Sequence, residues 1–222
     1  MPVYDQIIDT LLDIAIYYQD DHMIMVSKPA DLLTVPGRGP DKADCMITRL
    51  QTRWPTAKVV HRLDMATSGI LVIGLTPTSH RELSRQFQDR ETEKHYIAVI
   101  EGDLLAQEQK ETGEVDLPLI TDWPNRPRQK ICHKDGKPSQ TLWHILETLS
   151  DRTRVKLTPI TGRSHQLRVH MKALGHPILG DNLYGCDDSL SKSTRLLLHA
   201  EKLTVQHPIT GERVTVHSKP EF

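Results

Sequence analysis

His61-Arg62-Leu63-Asp64-Met65-Ala66-Thr67-Ser68-Gly69 is the stretch on which the reading of this chain turns. The apolar pair Val59-Val60 leads into it, and Ile70-Leu71-Val72-Ile73 leads out. An apolar entry, a polar middle and an apolar exit read as strand, loop, strand. Asp64 then lies on a loop held at both ends by buried backbone, and rigid scaffolds commonly carry reactive groups on such loops. The same residues also fit a plainer role, an aspartate closing an Asx turn onto Thr67 or Ser68. Local sequence leaves both open.

Upstream, residues 14–27 read as a hairpin, with an acidic turn at Asp20-Asp21. A loop with three prolines covers residues 28–40, and Met46, Ile47, Leu50 and Trp54 then recur at helical spacing before Pro55. Downstream, Thr76 and Pro77 read as N-cap and first-turn residue of a second helix, with Leu83 and Phe87 inward. Residues 94–102 alternate as a strand with Tyr96, Ala98 and Ile100 on one face. Residues 121–137 read as a basic, proline-rich loop, and strands are expected at 139–149 and 153–159. A helix over 164–174 stops at Gly175 and Pro177. A last hairpin pairs residues 199–205 with 213–216. Many strands and few helices argue for an α+β fold with a largely antiparallel sheet.

The chain's 222 residues suit one domain or two fused lobes. No apolar run approaches the ~20 residues of a membrane span. Residues 1–27 contain no Lys or Arg, which does not suit a signal peptide. Three widely spaced cysteines form no Cys-x-x-Cys pair, so neither a disulfide framework nor a zinc knuckle is supported, and a reducing cytoplasm fits. Formal net charge is −1, yet residues 121–180 carry eleven Lys or Arg against four Asp or Glu. A local basic field is what phosphate binding needs, and Arg126, Arg128 and Lys130 make its loop a candidate phosphate-binding surface. A solvated face balanced by folded-in acids accounts for the charge equally well.

A second dense segment spans residues 159–185. In helical register Ser164 and Arg168 share a face, while Leu167, Met171 and Leu174 can turn to a core. His165 and His170 are five apart and do not share a face as the two histidines of His-Glu-x-x-His do, so they read as structural hydrogen-bond partners rather than zinc ligands.

Together these segments resemble the RluA-type pseudouridine synthases. The resemblance spans nearly the whole chain. It rests on Ser27-Lys28-Pro29, Val35-Pro36-Gly37, the nonapeptide around Asp64, Lys94-His95-Tyr96-Ile97-Ala98, Asp116-Leu117-Pro118-Leu119, residues 162–170, Gly175-His176-Pro177-Ile178-Leu179-Gly180-Asp181 and Leu197-Leu198-His199-Ala200. It implies the pseudouridine synthase fold, a central largely antiparallel, mixed β-sheet with helices and loops flanking an active-site cleft. It further implies a single catalytic domain over residues 1–222 without a separate N-terminal RNA-binding domain.

The implied reaction is isomerisation of uridine in RNA: the N1–C1′ bond breaks, the base turns in place, and C5 bonds to C1′. The resemblance assigns the essential carboxylate to Asp64, as nucleophile or as base towards the sugar. It assigns the aromatic partner to Tyr96 and the carboxylate's ion-pair partner to Arg168, whose fork can fix and ionise a carboxylate. Arg62 is expected to fill the space that a flipped uridine vacates, at a cost of a few kcal/mol in unstacking. A salt bridge from Arg62 to Asp64 or a neighbour is the plainer alternative.

Glycosidases use two carboxylates, one of them to activate water. The signature segments here offer one strong candidate, which suits a reaction that must exclude water. Expected partners are a 23S rRNA hairpin and a tRNA anticodon stem-loop. No cofactor, metal or membrane is expected, and a monomer is the default state. One departure stands out: Asp31 occupies a position where many relatives carry Gly, and Asp tolerates left-handed backbone better than most residues.

Overall fold

The computed structural model describes residues 7–9 and 14–222. The expectation that no leader or extra domain precedes the first hairpin falls on residues outside these. The chain divides into two compact units, one comprising residues up to Lys94 together with Ala200–Glu221, the other His95–His199 with Phe222.

In chain order the first unit holds β1 (Ile7–Asp9), β2 (Ile14–Gln19), β3 (Met23–Lys28), α1 (Met46–Gln51), β4 (Lys58–Val59), β5 (Ser68–Gly74) and α2 (Pro77–Gln88). Strand β6 (Glu93–Glu101) carries the chain into the second unit. There follow α3 (Leu104–Glu108), β7 (Thr112–Asp116), β8 (Leu119–Thr121), β9 (Gln129–Ile131), β10 (Gln140–Thr148), β11 (Arg152–Pro159), α4 (Gln166–Ala173) and α5 (Asp187–Ser191). Strand β12 (Leu198–Gln206) returns to the first unit, where β13 (Arg213–His217) ends the ladder. Among the described residues no helix is long and apolar enough to cross a membrane.

In the first unit β1, β2, β3 and β5 run antiparallel neighbour to neighbour, and β12 follows β5. The reading of residues 59–73 as strand, loop, strand holds, since β4 pairs antiparallel with β5. Every residue of β5 is buried. Met23, Met25, Ile70, Val72, Leu83, Leu203, Val205, Val214 and Val216 form one apolar cluster, with Phe87 packed against it. Gly69 is obligatory, because its φ is 113° and a Cβ there would collide with the Ala200 backbone. The Thr76 cap of α2 is as expected, its side chain accepting the Ser79 N–H at 3.1 Å.

In the second unit β6, β11, β10 and β7 lie side by side, all antiparallel. Tyr96 lies opposite Leu157, Leu157 opposite Trp143, and Trp143 opposite Gly113, so the row of three side chains ends where the Trp143 ring lies over the bare Gly113 backbone. The expected face of β6 is correct, but Ile97 and Val99 are buried too. Backbone bonds from Val99 to Leu179 and Leu197 extend that cover.

Residues 121–137 depart from the loop reading, because they contain the far strand of the β8–β9 hairpin. Each strand is three residues long, too short for alternation to register. Helix α4 starts at Gln166 rather than 164, because His165 adopts a left-handed φ of 54°.

Asp31 also lies in the left-handed region, with φ 61°. Its side chain is exposed, so backbone conformation alone sets what the site accepts. Asp31→Gly should therefore hold stability within about 1 kcal/mol, whereas Asp31→Val should cost about 1–2 kcal/mol, both read from urea unfolding. A valine variant as stable as the parent would contradict the assignment.

Candidate active site

Asp64 sits half-buried between two clamped neighbours. On one side, Thr34 Oγ1 donates to the Leu63 carbonyl at 2.8 Å and accepts the Leu63 N–H at 3.2 Å. On the other, the Lys28 ammonium donates to the Met65 carbonyl at 2.9 Å. The same ammonium donates to Pro29 and Leu32 carbonyls at 2.7 and 2.8 Å, and Lys28 is wholly buried. A buried cation is tolerated only when its donors are matched, so the two loops that supply these carbonyls are held to one point. The Asp64 carbonyl accepts the Thr67 N–H at 3.1 Å, which closes the turn into β5. Arg62 is exposed beside it, as is Met65.

His61 anchors the start of the loop. Past Val59, where β4 leaves β5, His61 Nε2 accepts the Val72 N–H at 3.2 Å in place of a strand carbonyl. Its ring stacks on Phe87, centroids 4.2 Å apart, and Lys94 Nζ lies 5.7 Å from the Phe87 ring centre. Desolvation, helped by the Lys94 charge, pushes His61 down from 6.5 to about 3. The imidazole is thus a neutral acceptor at physiological pH.

In the second unit Tyr96 is half-buried at the end of its cross-strand row. Arg168, on α4, is 3% exposed and grips a carboxylate that sequence reasoning had not singled out. Its Nε and Nη2 donate to the two oxygens of Asp181 at 2.8 and 2.6 Å, and Asp181 is fully buried. Asp181 also accepts the N–H groups of Leu183 and Tyr184, each at 3.0 Å. Two-pronged, dry pairs of this kind fix orientation more than they add stability. Asp181 lies in the quoted run Leu179-Gly180-Asp181, but nothing in its spacing from Arg168 marks it as the partner.

The turn before α4 is locked by Gln166. Its Oε1 accepts from Thr161 Oγ1 and the Arg163 N–H, at 2.7 and 3.0 Å. Its Nε2 donates to the Gln140 carbonyl and Thr141 Oγ1, at 2.9 and 3.0 Å. All four hydrogen-bonding positions of a buried amide are filled. The structural reading of the two histidines holds: His170 lies between Thr141 Oγ1 and the Leu117 carbonyl, and His165 Nδ1 meets the Tyr184 hydroxyl at 2.7 Å. Among the described residues no three His, Cys, Asp or Glu side chains are grouped as metal ligands.

Arg126, Arg128 and Lys130 are all exposed on the β8–β9 hairpin. The Arg126 guanidinium lies 4.5 Å from the centre of the exposed Trp123 ring, and Lys130 approaches Asp122 at 3.4 Å. A cation over an exposed aromatic face is a surface suited to nucleic acid.

The family model described as RNA pseudouridylate synthase matches residues 22–173. The dual-specificity RNA pseudouridine synthase RluA of Escherichia coli K12 is 53% identical over 210 residues, which cover 94% of each chain. The protein of that name from Haemophilus ducreyi is 52% identical over 206 residues, 92% of each chain. Among solved structures, human RNA pseudouridylate synthase domain containing 1 superposes with a TM-score of 0.79 at 29% identity, covering 96% of this chain and 86% of that one. Human RNA pseudouridylate synthase domain containing 4, at 23% identity and a TM-score of 0.73, shares the fold over 93% of this chain and 88% of its own. The chain belongs to the RNA pseudouridine synthases. Within them it is of the RluA type, an isomerase that converts uridine to pseudouridine in RNA.

The His61 environment makes a pH signature. Between about pH 3 and 6.5 the unfolded chain binds a proton that the folded chain refuses. The stabilisation is therefore fully present above 6.5 and declines as pH falls. His61→Gln keeps an acceptor for Val72 but cannot titrate. Its unfolding free energy should fall less steeply with acid than the parent's, by about 1.4 kcal/mol per pH unit between pH 6 and 4. Parallel curves would contradict a neutral His61.

Proposed function

We propose that this enzyme isomerises one uridine in a tRNA anticodon stem-loop and one in a hairpin of 23S rRNA, using Asp64 as its essential carboxylate. The observation that carries the reading is the clamping of both neighbours of Asp64 by Thr34 and Lys28. A carboxylate that must act on a sugar gains most from being held in place before substrate arrives.

Asp64 acts on the ribose while the N1–C1′ bond breaks. The freed uracil turns and C5 bonds to C1′. The C5 proton then leaves and N1 regains one, so the reaction is an isomerisation with no net loss of atoms. Tyr96 supplies a face for the uracil and a hydroxyl for moving the C5 proton. Arg168 is assigned to hold Asp64 ionised. Asp181 receives the Nε and Nη2 donors of that guanidinium.

Arg62, exposed beside Asp64, is assigned to the gap left by the flipped nucleotide. Arg126, Arg128 and Lys130 are assigned to phosphates, in keeping with recognition of RNA loops by shape and splayed bases. The two units serve one catalytic function, the protein works as a monomer in the cytoplasm, and the scheme requires neither cofactor nor metal.

Pseudouridine mapping after incubation with the two RNAs tests the target assignment. One modified uridine in each RNA is expected, unchanged in EDTA provided the RNA stays folded. Modification of one RNA only, or at several scattered uridines, would overturn the dual assignment.

A further inference from the structure

Tyr184 stands where three parts of the second unit meet. Its phenol oxygen accepts the N–H of Gln129, the first residue of β9, at 2.7 Å. The same oxygen hydrogen-bonds His165 Nδ1, also at 2.7 Å. His165 is the left-handed residue from which α4 starts. The Tyr184 ring lies beside the Arg168 guanidinium, whose Cζ is 5.2 Å from the ring centre. Its backbone N–H goes to Asp181 Oδ1, the oxygen that also receives Arg168 Nη2. The ring is buried in one cluster with Leu119 and Val169, against which Ile131 packs, so the cluster joins both strands of the basic hairpin to the helix that carries Arg168.

A tyrosine that only filled this core could be a phenylalanine. Here the hydroxyl is used on both sides. The N–H it receives lies between Arg128 and Lys130 in the chain, so the tether reaches the hairpin at its basic positions. The bond to His165 favours a backbone conformation that L-residues otherwise avoid.

We propose that Tyr184 is a positioning residue that couples RNA held on the basic hairpin to the setting of Arg168. The proposal rests on the reading above, in which the hairpin meets phosphates and Arg168 serves Asp64. Phosphates on Arg128 and Lys130 fix β9, the Gln129 N–H fixes the Tyr184 hydroxyl, and Tyr184 in turn holds His165 and the face beside Arg168. Such coupling is an interaction energy between two sites, which a double-mutant cycle measures.

The test uses full-length enzyme and the anticodon stem-loop, measuring single-turnover conversion at saturating RNA, RNA affinity and thermal melting. Tyr184→Phe should slow conversion about 10-fold, the worth of roughly one hydrogen bond in the transition state. Its affinity should stay within about 2-fold, since an interaction that sets the reacting geometry changes turnover rather than binding. His165→Asn, which keeps a residue tolerant of left-handed backbone, should slow conversion similarly and guards against a folding defect in the first variant. Adding Arg128→Ala and Lys130→Ala to Tyr184→Phe should slow conversion less than the product of the separate effects.

Arg168→Lys, run in parallel, separates the two layers of the argument. Parent-like rates in Tyr184→Phe and His165→Asn with a crippled Arg168→Lys would overturn the coupling and leave the role of Arg168 standing. A parent-like Arg168→Lys would remove the reading on which the coupling rests. Fully multiplicative effects would overturn the link to the hairpin.

Discussion

One ammonium group organises the loop that carries Asp64. Lys28 is the last residue of β3, opposite Gly69 in the ladder with β5, and its side chain is wholly buried. Withdrawing such a charge from water costs several kcal/mol, and the chain offsets this with three carbonyl oxygens from two loops. Pro29 and Leu32 flank the left-handed Asp31, while Met65 follows Asp64. With Leu63 clamped by Thr34 and Met65 by Lys28, the residue between them has its direction set by its neighbours. The surrounding features serve that arrangement: Gly69 admits the close approach of Ala200, and His61 replaces a strand where β4 leaves β5.

The second unit solves a similar problem with charge of both signs. Arg168 and Asp181 are paired out of water, and Asp181 has further backbone donors, so neither ion is left short of partners. A pair of this kind seldom adds net stability. Its value here is orientation: two parallel hydrogen bonds to one carboxylate hold the plane of the guanidinium in a single direction. Gln166 performs the equivalent service for the turn before α4, where no charge is available.

Much of this was legible in the chain because it is local. The β2–β3 hairpin, the Thr76 cap, the strand, loop, strand around Asp64 and the closing β12–β13 hairpin follow from periodicity and turn residues within short windows. Elements whose stability comes from elsewhere were not. The polar strand β7, the three-residue strands of the basic hairpin, and the five-residue helices α3 and α5 carry too little pattern of their own. The site divides along the same line. Asp64, Tyr96 and Arg168 sit in dense segments that resemblance could mark. Asp181 and Tyr184 matter through the partners that tertiary folding brings to them. Lys28 was read only as part of a motif, since a lysine in a sequence is normally taken to face water.

The central claim is that the Asp64 carboxylate performs the isomerisation rather than shaping its loop. Asp64→Asn preserves size and turn-forming capacity and removes only the ionised oxygen. Tritium release from uridine labelled at C5, measured in a single turnover beside RNA affinity, reads the chemistry directly. Conversion should fall by more than about 1,000-fold, as for other covalent or general-base carboxylates, with affinity within about 3-fold. Release within tenfold of the parent would contradict it and return Asp64 to the role of a turn residue.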